Sequence, residues 1–256
     1  MKVKKIFRVV LSVILLTIMG ISLFHIVKII NEDKKSENLN KDLINKAIIT
    51  IDDSTNNKHN NLPETTKENI PIKVDFNLLT TENKDIIAWI YCPDTPINYP
   101  IVKGNDNSYY LNRLLDGTNN PAGTLFADYR CAADFSDLNT VVYGHNMKND
   151  TMFGILPNYK KQDYYEKHSV WYLSTPDKDY KIELIAGYVT PSNSNLYNIG
   201  NSREERDIQI SNAINNSTFT SNLQVLETDK LITLSTCSNE YENARFVLLG
   251  VLKEVI

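Results

Sequence analysis

The constraint that acts before any other is an apolar run near the N-terminus. Lys2, Lys4, Lys5 and Arg8 open the chain, Val9 to Phe24 contains no charged residue, and the apolar character continues through His25 to Ile30. Counted from Ile6 the run is 25 residues long, against the roughly 20 that carry a helix across a bilayer. A core helix would keep a polar face, and this run has none. A cleaved signal peptide has a shorter apolar core and a small-residue cleavage site. No A-x-A pattern precedes the mixed charges of Asn31 to Lys35. Residues 6–30 are therefore expected to stay as a single-pass signal anchor. Basic residues lie ahead of it, so residues 1–5 are expected in the cytoplasm and the rest of the chain outside the cell.

Residues 31–73 read as a polar stalk. Leu39 to Ile51 has helical spacing, with Leu43, Ile44, Ala47 and Ile48 on one side, and Asp52 to Asn69 has almost nothing to bury. Residues 74–256 form the folded part, long enough for one core. Phe76 to Ala88 reads as a helix and Asn107 to Leu115 as another. Strand-like runs rich in β-branched and aromatic residues cover Ile97 to Val102, Thr124 to Ala127, Thr140 to Tyr143, Ser169 to Ser174 and Lys181 to Val189. Gln224 to Leu226, Lys230 to Cys237 and Arg245 to Leu252 complete them. Ser202 to Asn216 is the helical exception, with Ser202 and Glu205 spaced for a capping box. Many short strands with interposed helices predict a mostly β fold, a mixed barrel and not a doubly wound sheet. A net charge of -4 gives no basic excess for nucleic acid.

Chemistry is concentrated at two strand ends. The cysteines Cys92, Cys131 and Cys237 show no CxxC spacing and are too few for a disulfide framework. Cys237 ends the apolar run Leu231 to Thr236, and Arg245 opens the next run, so a hairpin would face the thiol with a guanidinium. On local pattern alone, a core thiol beside a surface arginine fits equally well. Val141-Val142-Tyr143-Gly144-His145 is a second apolar strand, ending in Gly-His, where glycine is expected to let the backbone turn and expose the imidazole. His145 is the one histidine of four placed at the end of a core strand; a structural histidine fits there too.

Taken together these segments resemble the sortases. Thr233-Leu234-Ser235-Thr236-Cys237 followed by Arg245 looks like their TLxTC…R signature, and Tyr143-Gly144-His145 like their histidine strand. Asn98 to Val102, Asp106 to Leu111 and the "GTLFADYR" run from Gly123 to Arg130 resemble the class B branch. The resemblance implies an eight-stranded mixed barrel with an N-terminal helix and a helix, here Ser202 to Asn216, between the sixth and seventh strands. It implies a cysteine transpeptidase with Cys237 as nucleophile, His145 as acid and base, and Arg245 as electrostatic partner. The Ser238 N–H would be a second oxyanion donor, and Asn107, Leu111, Tyr143 and Ser235 would line the substrate groove. Expected partners are secreted proteins with a C-terminal sorting motif and a peptidoglycan amine, with no metal or cofactor. A thiol peptidase releasing its acyl group to water, and a non-catalytic binding module, are the alternatives. The Ser-His-Gly run that normally precedes an L,D-transpeptidase cysteine is absent before Cys237.

Overall fold

A computed structural model describes residues 2–50, 70–199 and 202–255. Helix α1 (Lys2–Ala47) opens the chain. The chain divides into two compact units, Met1–Lys41 and Asp42–Ile256.

In the first unit the apolar side chains of α1 are exposed all round from Val10 to Ile30. Two hydroxyls in the run are tied down locally: Ser12 donates to the Arg8 carbonyl and Thr17 to the Val13 carbonyl, both at 2.9 Å. Such i to i−4 bonds satisfy these two hydroxyl hydrogens within the helix, as an apolar medium would require.

The second unit begins ahead of Val74, inside the stretch expected as stalk. The last turn of α1 leads into β1 (Ile48–Thr50), which pairs antiparallel with β2 (Ile72–Val74). Leu43, Ala47, Ile70 and Ile72 are buried with Leu79, Trp89 and Val102. The span Asp52 to Asn69, expected to have almost nothing to bury, lies outside the described residues.

Helix α2 (Phe76–Glu82) is capped by Asp75, whose side chain accepts from Leu78 N. It stops six residues short of Ala88, the end expected from the sequence. Asn83 ends it: its side chain donates to the Leu115 carbonyl and accepts from Asp85 N, turning the chain into the strand β3 (Ile86–Tyr91). The remaining strands are β4 (Asn98–Val102), β5 (Phe126–Ala127), β6 (Asn139–Tyr143), β7 (Val170–Ser174), β8 (Asp179–Pro191), β9 (Lys230–Cys237) and β10 (Ala244–Glu254). With β3 they close an eight-stranded barrel in the order β10-β8-β7-β3-β4-β5-β6-β9. Two pairs, β4–β5 and β6–β9, are parallel and the others antiparallel. Helix α3 (Gln162–Lys167) precedes β7. Helix α4 (Arg203–Asn216) joins the sixth and seventh barrel strands, as expected, with the Ser202–Glu205 capping box formed.

The cores of β6, β9 and β10 carry apolar residues on both faces because both faces are buried. Val142, Ile232, Leu234, Phe246 and Leu248 fill the barrel interior. Val141, Leu231, Val247 and Leu249 point the other way and pack with Ile210 and Ala213 of α4.

Two expected elements are replaced. Asn107 to Leu115 holds only a 3-10 turn, Tyr110–Asn112. Asp106 accepts from Ser108 N and Tyr109 N, a side-chain turn that competes with a helix. Gln224 to Leu226 forms no strand. The buried Arg206 donates to the carbonyls of Leu226, Glu227 and Asp229, so a guanidinium does there what a neighbouring strand would do.

Candidate active site

Strand register brings the catalytic candidates together. In the antiparallel β9–β10 pair Cys237 lies directly opposite Arg245. In the parallel β6–β9 pair Tyr143 lies beside Ser235. Side chains alternate with a period of two, so His145 and Cys237, each two residues on, share a face. The seam continues past the last paired residues. Gly144 N donates to the Ser235 carbonyl (3.1 Å), the Thr236 hydroxyl to the Gly144 carbonyl (2.8 Å) and the Asn146 amide to the Cys237 carbonyl (2.9 Å).

These residues line a groove of about 310 Å³. His145, Cys237 and Arg245 lie in it, as do Asn107, Leu111, Tyr143 and Ser235, all seven expected from the sequence. Phe126, Arg130 and Tyr197 complete its walls. Tyr143 stacks on Tyr197 and tilts against Phe126, with ring centroids 6.1 and 5.3 Å away, giving an aromatic floor. The Tyr197 hydroxyl and the Ser235 hydroxyl are 2.8 Å apart. Among the described residues no carboxylate lines the groove, whereas Arg130, Arg245 and His145 do. The groove therefore presents hydrogen-bond donors and no carboxylate.

The three thiols are distinct. Cys237 is exposed, while Cys92 and Cys131 are buried. Burial pushes the Cys92 thiol up to about 12 and the Cys131 thiol up to about 11. Both are neutral at physiological pH and shielded from substrate, so Cys237 is the thiol with access.

His145 Nε2–H donates to the Leu111 carbonyl at 2.6 Å, which fixes a proton on that nitrogen and orients the ring. Arg245 Nη1 donates to the Ala244 carbonyl at 3.0 Å. The Ser238 amide, expected to be free for an oxyanion, donates to the same Ala244 carbonyl at 3.0 Å. Both oxyanion donors expected from the sequence thus rest on one acceptor. The Ser238 hydroxyl donates to Glu240, which is paired with Lys160.

Sequence reasoning missed four residues of the site. Asn146 follows His145 directly but carries no signal of reaching Cys237. Tyr197 stands in a polar loop with no periodicity. Asp128 and Arg130 fall inside the "GTLFADYR" run, and only their contacts reveal a role for each.

Gly144 does not need glycine for its backbone conformation, since the positive-φ glycines are Gly117 and Gly123. It needs glycine for space. A Cβ there would come within 2.4 Å of Leu125 Cδ2 and 2.7 Å of Phe153 Cδ2.

Comparison with known proteins agrees with this geometry. A family model described as "Sortase domain" matches residues 90–253. The "Sortase B" of Listeria monocytogenes is 34% identical over 245 residues, 93% of this chain and 94% of that protein. The solved Staphylococcus aureus sortase B–substrate complex is similar at a TM-score of 0.67 and 29% identity, covering 71% of this chain and 85% of the other. Sortase B from B. anthracis in complex with AAEK1 gives a TM-score of 0.72 at 26% identity, covering 88% of this chain and all of that one. With the barrel, its inserted helix and the shared groove all in place, the chain belongs to the sortase family, on its class B branch.

Proposed function

We propose that this chain is a membrane-anchored transpeptidase that cleaves a C-terminal sorting motif after its Thr and passes the protein to a peptidoglycan amine. The observation that carries the proposal is the alignment of an exposed thiol, an imidazole and a guanidinium at one end of the β6–β9–β10 seam. The Cys237 thiol passes its proton to His145, and the thiolate attacks the scissile carbonyl. His145 protonates the departing amine and, after the thioacyl-enzyme forms, takes a proton from the incoming amine. Arg245 stays charged and presents donors in a fixed planar fork, which suits it to the developing oxyanion. Its Nη1 and the Ser238 N–H exchange the Ala244 carbonyl for that oxyanion. Asn107, Leu111, Tyr143 and Ser235 hold the peptide along the groove.

The sortase B of S. aureus has been solved with a substrate bound, and a sorting peptide is the substrate class proposed here. Residues 6–30 cross the membrane, residues 1–5 stay inside, and the catalytic domain works outside on proteins crossing the bilayer. The helix Ile6–Ala47 is apolar enough for this, with a mean hydropathy of 2.5 in its most apolar stretch. The test is mass spectrometry of the protein with sorting-type peptides and an amine acceptor. An acyl adduct on Cys237 and an amine-linked product are expected. A folded protein whose thiol reacts with a small alkylating reagent, but that acylates with no peptide, would refute the proposal.

A further inference from the structure

Asp128, which follows β5, is fully buried and does not itself line the groove. Its carboxylate nonetheless receives donors from three separate segments that do. Oδ2 accepts from Asn107 Nδ2 (2.9 Å), the Tyr143 hydroxyl (3.0 Å) and Arg130 Nη2 (2.8 Å). Oδ1 accepts from Arg130 Nε (2.8 Å) and the Arg130 backbone N (3.0 Å).

Each bond decides what its partner can still offer. The Asn107 oxygen is taken by Tyr129 N at 3.0 Å, so its amide has only its second N–H left for the groove. The Tyr143 hydrogen is spent on Asp128, which leaves its oxygen as an acceptor. Arg130 commits Nε and Nη2, the latter also to the Tyr197 carbonyl at 3.2 Å. That leaves Nη1 with two uncommitted N–H groups.

We propose that Asp128 is the positioning residue of the groove, fixing Asn107 and Arg130 as donors aimed at the carbonyl oxygens of an extended peptide and Tyr143 as the acceptor beside them. The proposal rests on the transpeptidase reading and deepens it. It names the recognised chemistry as a peptide segment rich in backbone or side-chain amide carbonyls. Loss of the carboxylate should weaken peptide recognition and leave the thiol untouched, because Asp128 contacts neither Cys237, His145 nor Arg245.

The test compares the wild-type chain with Asp128→Asn, using a sorting-type peptide and an amine acceptor. An asparagine amide would set its own N–H groups against one or more of the donors now pointing at the carboxylate. The expected result is a KM at least about 10-fold higher, kcat within about 3-fold, and an unchanged rate of Cys237 alkylation by iodoacetamide. Asp128→Glu should not restore KM, because the longer side chain cannot keep all three segments in place. An unchanged KM in a folded Asp128→Asn would overturn the proposal. A parallel loss of kcat, KM and alkylation rate would overturn it too, marking Asp128 as merely structural. If Asp128→Asn does not fold, Asn107→Ala and Tyr143→Phe each remove one contact and keep the Asp128–Arg130 pair. Each should raise KM by about 3-fold or more with kcat retained, and no rise in either would overturn the proposal. A wild-type chain that acylates no peptide would instead sink the transpeptidase reading itself.

Discussion

Gly144→Ala tests whether packing, and not backbone freedom, holds His145 in place. The added methyl would sit 2.4 Å from Leu125 Cδ2, 2.7 Å from Phe153 Cδ2 and 2.9 Å from Phe153 Cγ. Leu125 and Phe153 are buried in the barrel core, at 1% and 0% exposure, and cannot swing into solvent. Overpacking a close-packed interior costs about 1 to 3 kcal/mol. For a domain of this size that corresponds to a Tm lower by about 2 to 12 °C. The displacement also has a direct route to the imidazole, because Phe153 N donates to the His145 carbonyl at 2.9 Å. A ring pushed aside carries His145 with it, so kcat/KM should fall by about 10-fold or more, since misplacement by about 1 Å can cost 100-fold. Gly104→Ala is the control: its nearest neighbour would be 3.4 Å away, an ordinary contact, and it should leave Tm within about 1 °C. Calorimetry and steady-state transpeptidation measure both effects. A Gly144→Ala protein with wild-type Tm and kcat/KM would refute the packing argument.

Other expectations follow from the same site. Cys237→Ala should abolish acyl transfer while keeping the wild-type Tm, and iodoacetamide should label Cys237 alone in the native protein, read by peptide mass mapping. Labelling of Cys92 or Cys131 before unfolding would contradict their burial. Arg245→Lys should lower kcat/KM by about 100-fold despite the retained charge, in line with the loss of an oxyanion donor; near wild-type turnover would remove Arg245 from the mechanism. Acid stability should depend on Asp128. Burial opposes its charge, but the Arg130 hydrogen bonds, with help from Asn107 and Tyr143, outweigh that and hold its carboxyl down to about 2. A carboxyl lowered on folding stabilises the protein above its ordinary pKa, 3.8 here, and loses that contribution as pH falls toward 2. Denaturant titrations should therefore show about 1 to 2 kcal/mol lost across that window. An Asp128→Asn protein should lack that component, and an identical acid profile in both proteins would contradict it.

The barrel was largely legible because its strands are buried on both faces. Runs such as Val141-Val142, Leu231-Ile232 and Phe246 to Leu249 are apolar without alternation, and the same burial makes their ends conspicuous. Cys237 and Arg245 mark where the apolar runs end and begin, and Tyr143-Gly144-His145 marks another such end. The capping box of α4 was legible because both its partners lie within one turn. The failures were places where a side chain replaces backbone pairing. Gln224 to Leu226 has a strand's composition, yet its neighbourhood is satisfied by Arg206 from α4. Phe76 to Ala88 is apolar near both ends, but Thr80 to Asp85 between them is polar, and Asn83 turns the chain within that polar run. The Ser238 N–H was assigned by resemblance, and nothing in the sequence shows that it rests on Ala244.

The hardest feature to read was the seam that keeps His145 beside Cys237. A hairpin fixes register locally, and only seven residues separate the paired ends Cys237 and Arg245 in β9 and β10. The β6–β9 pair is parallel, and no turn sets its register. Its partners are 91 residues apart at Asn146–Cys237 and 92 at Gly144–Thr236. Register must then come from both faces being buried, since a slip of one residue would exchange Val142 for Val141 in the core and turn His145 away. Beyond the last ladder pair that constraint ends, because Cys237 is exposed. Three bonds, from Gly144 N, the Thr236 hydroxyl and the Asn146 amide, extend it by two residues, the distance needed to reach the proposed catalytic pair. This conformational role gives a reason for polar residues to stand where the apolar strands end.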